Sequence, residues 1–103
     1  MGEVFISREV RDRTSVDPDQ DTLTLTNSST EYTFTVPEKC KKIIFGMRSA
    51  DADFLYGWAT GELNITVRAG SYRIVEGVYL TGETLYFRCN DAAGKIIEIE
   101  SWT

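Results

Sequence analysis

From Leu63 to Trp102, apolar residues return at every second position, in short runs separated by glycine and polar breaks. Leu63, Ile65 and Val67 alternate with Asn64 and Thr66. Leu85, Phe87 and Cys89 alternate with Tyr86 and Arg88, and Ile97 and Ile99 with Glu98 and Glu100. A period of two puts successive side chains on opposite faces of a strand, one wet and one buried. Gly70, Gly82 and Gly94 fall in the breaks and supply turns.

The same grammar starts upstream. Thr22–Thr26 points Leu23 and Leu25 to one side, and Glu31–Val36 points Tyr32, Phe34 and Val36 to one side. With Asn27-Ser28-Ser29 as a turn between them, the two runs read as a hairpin. Lys42–Arg48 reads as a strand with Ile44 and Met47 inside. Its continuous run Ile43-Ile44-Phe45 suggests cover on both faces. Asp53–Ala59 sets Phe54, Tyr56 and Trp58 on one side and leaves Leu55 and Gly57 on the other. A glycine opposite an aromatic stripe marks close backbone approach or a bulge. Tyr72 and Ile74 share a side of a short strand, and Val78-Tyr79-Leu80 continues briefly after Gly77. About eight strands at roughly 8–12-residue spacing, with no convincing helix, predict a single all-β domain, an antiparallel β-sandwich or a barrel.

Residues 1–21 lack a sustained apolar face. Arg8, Arg11 and Arg13 mix with Glu9 and Asp12, and Pro18 stands among Asp17, Asp19 and Asp21 as a breaker. This segment reads as an extended N-terminal arm or lead-in, with a short edge strand as the alternative, and the sandwich spans 22–103. The 103 residues suffice for one domain with one modest core.

The charge balance is acidic, −5. Nucleic-acid partners need a basic footprint that the chain lacks, and its one basic cluster, Lys39, Lys41 and Lys42, reads as a solvated turn. No apolar stretch approaches the ~20 residues of a helical membrane span. The start, Met1 to Ile6, is too short and acidic for a signal peptide, so the chain is expected to stay where it is made unless a larger particle carries it out. Without secretion, Cys40 and Cys89 are expected to remain unpaired, with Cys89 inside as a small hydrophobe.

Chemistry is sparse. Histidine is absent, which removes the commonest general base near neutral pH and His-liganded zinc. Asp17, Asp19 and Asp21 have alternate spacing suited to Ca²⁺, but Thr22 and Ser28 stand where a calcium loop of the EF-hand kind needs Gly and Glu. Paired carboxylates such as Glu98 and Glu100 point together to the solvent face, the ordinary place for them. No cofactor site, metal site or catalytic set is expected, and the chain is read as a non-enzyme. Tyr56, Trp58, Tyr79, Tyr86 and Trp102 are the candidate interface or glycan-stacking residues, because aromatics join a flat apolar face to a polar handle. The competing reading places the Phe54, Tyr56 and Trp58 stripe in the core.

The stretch Arg68-Ala69-Gly70, then Leu80-Thr81-Gly82-Glu83-Thr84-Leu85-Tyr86-Phe87, then Ile97-Glu98-Ile99-Glu100-Ser101-Trp102 resembles small virion proteins of tailed bacteriophages. The resemblance covers roughly residues 32–103 and is one of strand grammar. It implies a compact sandwich, with the jelly roll as one candidate wrap, that decorates or cements a capsid. It further implies a homo-oligomer, with a trimer favoured, and the major capsid protein or other virion proteins as partners. The location implied is the virion, after synthesis in the host bacterial cytoplasm. The alternative is a glycan- or host-surface-binding module of a phage head or tail.

Overall fold

The computed structural model describes residues 18–76 and 80–103. They form eight strands: β1 Pro18–Leu25, β2 Tyr32–Thr35, β3 Lys42–Met47, β4 Phe54–Gly57, β5 Ile65–Val67, β6 Tyr72–Glu76, β7 Thr84–Arg88 and β8 Lys95–Trp102. No helix occurs among the described residues.

Two four-stranded antiparallel sheets result, ordered β1-β8-β3-β6 and β2-β7-β4-β5. The pairing is nested: β1 with β8, β2 with β7, β3 with β6, and β4 with β5. The chain is thus one long hairpin bent between β4 and β5 and wrapped on itself. The β3–β8 and β4–β7 pairs complete the two sheets. This eight-stranded double-sheet wrap is a jelly roll, so the all-β sandwich expectation holds.

The core lies between the sheets. Phe45, from the first sheet, meets three rings of the second: Phe54, Tyr56 and Phe87, at centroid distances of 6.3, 4.9 and 5.1 Å. The contacts with Tyr56 and Phe87 are edge-on, the favoured arrangement for aromatic quadrupoles. Leu25, Ile43, Ile97, Val36 and Leu85 fill the space around them, all but inaccessible to water.

Several expectations need correction. The runs before and after Asn27-Ser28-Ser29 do not pair; β1 and β2 belong to different sheets. The intervening residues form a corner, held where Ser29 N donates to Cys89 O (2.8 Å) and Asn27 N to the Tyr32 hydroxyl (2.9 Å). Local alternation specifies a strand but not its neighbour, and here the long-range β1–β8 and β2–β7 ladders win. In β3 Met47 packs partly against the core as expected, but Ile44 does not point inside: Ile43 and Phe45 are buried, and Ile44 is only half-buried on the outer face. A continuous apolar run carries no phase of its own.

Pro18 does not break a regular element. It opens β1, opposite Trp102, so residues 18–21 belong to the sheet and not to an arm. An edge strand tolerates proline at its first position because no neighbour needs its N–H. The rest of the expected arm, residues 1–17, lies outside the described residues. Cys40 is as buried as Cys89, and both thiols are free. Gly57 behaves as expected, with a Cβ there falling 2.3 Å from Glu62 O.

Candidate functional site

Alternation and register define the two outer faces. On the first sheet, cross-strand rows read Tyr72–Gly46–Glu98–Thr22, then Ile74–Ile44–Glu100–Gln20, then Glu76–Lys42–Trp102–Pro18. A depression runs over the first two of these rows, with Gly46 in its lining. Any side chain at Gly46 would meet Tyr72 Cβ at 2.7 Å, so this position stays bare. Around it, charges are paired. Arg48 Nε donates to Glu98 Oε2 at 2.8 Å, and Trp102 Nε1 donates to Glu100 Oε1 at 3.3 Å. Lys42 Nζ stands 5.0 Å from the Trp102 ring centroid, within cation–π range. The basic cluster therefore divides: Lys39 and Lys41 are exposed, while Lys42 is drawn onto the sheet.

The four aromatic candidates among the described residues do not form one cluster. Tyr56 is buried beneath the β6 edge, where Arg73 Nε donates to its hydroxyl at 2.8 Å. A ring held there is core and cannot stack on a sugar. Trp58 packs partly against that core. Tyr86 lies on the outer face of the second sheet, in the row Thr33–Tyr86–Gly57. Trp102 lies on the outer face of the first. Tyr79 falls outside the described residues. The large hydrophobics that are exposed were missed as a site: Tyr72 at 67%, Ile74 at 48% and Ile65 at 45%. Alternation marked Tyr72 and Ile74 as sharing a side. It could not show that this side faces outward on an edge strand.

No group of three or more Cys, Asp or Glu side chains is placed to hold a metal ion among the described residues. Asp19 and Asp21 are exposed on β1, and Asp17 lies outside the described residues. Two carboxylates are tuned by local hydrogen bonds. Glu31 accepts from Thr60 Oγ1 (2.7 Å) and from Gly61 N (2.8 Å), with the Arg88 cation adding attraction. Together these hold its pKa below the usual glutamate range. Asp51 is lowered likewise, first by Lys95 and then by Ser49.

Both are structural pins. Glu31, ahead of β2, ties itself to the β4–β5 turn, and Asp51, after β3, ties itself to the start of β8. A lowered carboxylate favours the fold above its unfolded pKa and loses that contribution as pH falls through its folded pKa. Removing the Thr60 hydroxyl (Thr60→Ala) is expected to raise the Glu31 midpoint toward the ordinary value. A carboxyl-detected NMR titration reads this directly, and an unchanged midpoint would mean the bond does not act.

The outer faces thus offer a depression of mixed polar and apolar lining, paired charges and an apolar edge strip. No protein-family model matches the chain, and no curated protein matches it either.

Proposed function

We propose that this chain is a structural virion protein that decorates or cements a bacteriophage capsid, without enzymatic activity. Its means of attachment are contacts between copies and contacts of the N-terminal segment. The observation that carries the reading is the nested strand order, because the jelly roll is a recurrent solution for capsid-associated domains. Such an argument works by analogy of fold, joined to the strand grammar of residues 32–103. Lectin domains share the wrap, but Tyr56, Tyr86 and Trp102 lie in the core and on two opposite faces, which favours the capsid reading over a single glycan-stacking platform.

Many copies on one particle turn weak contacts into firm attachment. Purified capsids lacking the protein should take it up at saturable, symmetric stoichiometry and survive a higher temperature before releasing DNA. A variant lacking residues 2–17 should fold with the same β spectrum yet attach poorly. Capsids that stay unoccupied, with unchanged heat resistance, would refute the proposal.

A further inference from the structure

We draw no further inference here: the strongest candidate, the depression on the outer face of the first sheet at Gly46, between the exposed Tyr72 ring and the Arg48–Glu98 ion pair, carries nothing because nothing in the structure shows what covers it.

Discussion

Truncating Phe45 to alanine is expected to cost about 3–5 kcal/mol, the range for removing a buried aromatic ring. The ring is 1% exposed and is the first sheet's contribution to a four-ring cluster. Its three neighbours all hang from the second sheet, so no flexible loop can collapse into the space left behind. Domains of this size are stable by about 5–15 kcal/mol, so the loss would be a large share of the total. Urea denaturation should show a strongly lowered midpoint with little change in slope. Thr35→Ala, on the exposed face of β2, should fall within about 0.5 kcal/mol of the native chain. Similar midpoints for the two variants would mean that the ring cluster does not tie the sheets together.

Gly57→Ala is expected to be nearly as damaging, for the opposite reason. The new methyl would sit 2.3 Å from Glu62 O and 2.9 Å from Leu63 Cα, and both are backbone atoms. Neither can rotate away, so β4 must separate from the turn that follows it. Overpacking of this kind costs typically 1–3 kcal/mol and sometimes more. We place Gly57→Ala at about 3 kcal/mol, at the top of that range. Gly46→Ala gives a scale. Its closest contact, Tyr72 Cβ at 2.7 Å, belongs to edge strand β6, which can move outward. Gly57→Ala should therefore lower the melting temperature more than Gly46→Ala, and the reverse order would refute this account of the β4 approach.

The sequence disclosed the strands and much of their inward phase. Leu85, Phe87, Cys89, Ile97 and Ile99 are buried as their alternation requires. Each has polar neighbours that fix the phase locally. Ile43-Ile44-Phe45 is apolar at every position, so the run itself carries no phase, and the β8 register turns Ile44 outward. Pairing was least legible. Asn27-Ser28-Ser29 is as good a signal for a corner between sheets as for a hairpin, and the difference lies in residues some sixty positions away in β7 and β8. The dispersal of the described aromatic candidates has a related cause. Tyr56 and Tyr86 share a residue type, but one follows the inward phase of its strand and the other the outward phase. Residue type reports what a ring can do, and phase decides whether it meets solvent.

The nested pairing orders the closing of the chain. Tyr56 and Ile65 pair across a short connection, whereas Pro18 and Trp102 join almost the full described length. Loop-closure entropy rises with the length of chain still free. Once β4 and β5 have met, β3 and β6 are already neighbours, and each ladder formed shortens the slack before the next. The wrap thus acts as a zipper running from its bend to its two ends. The β1–β8 ladder, which contains the first residue described, is the last to gain from its predecessors.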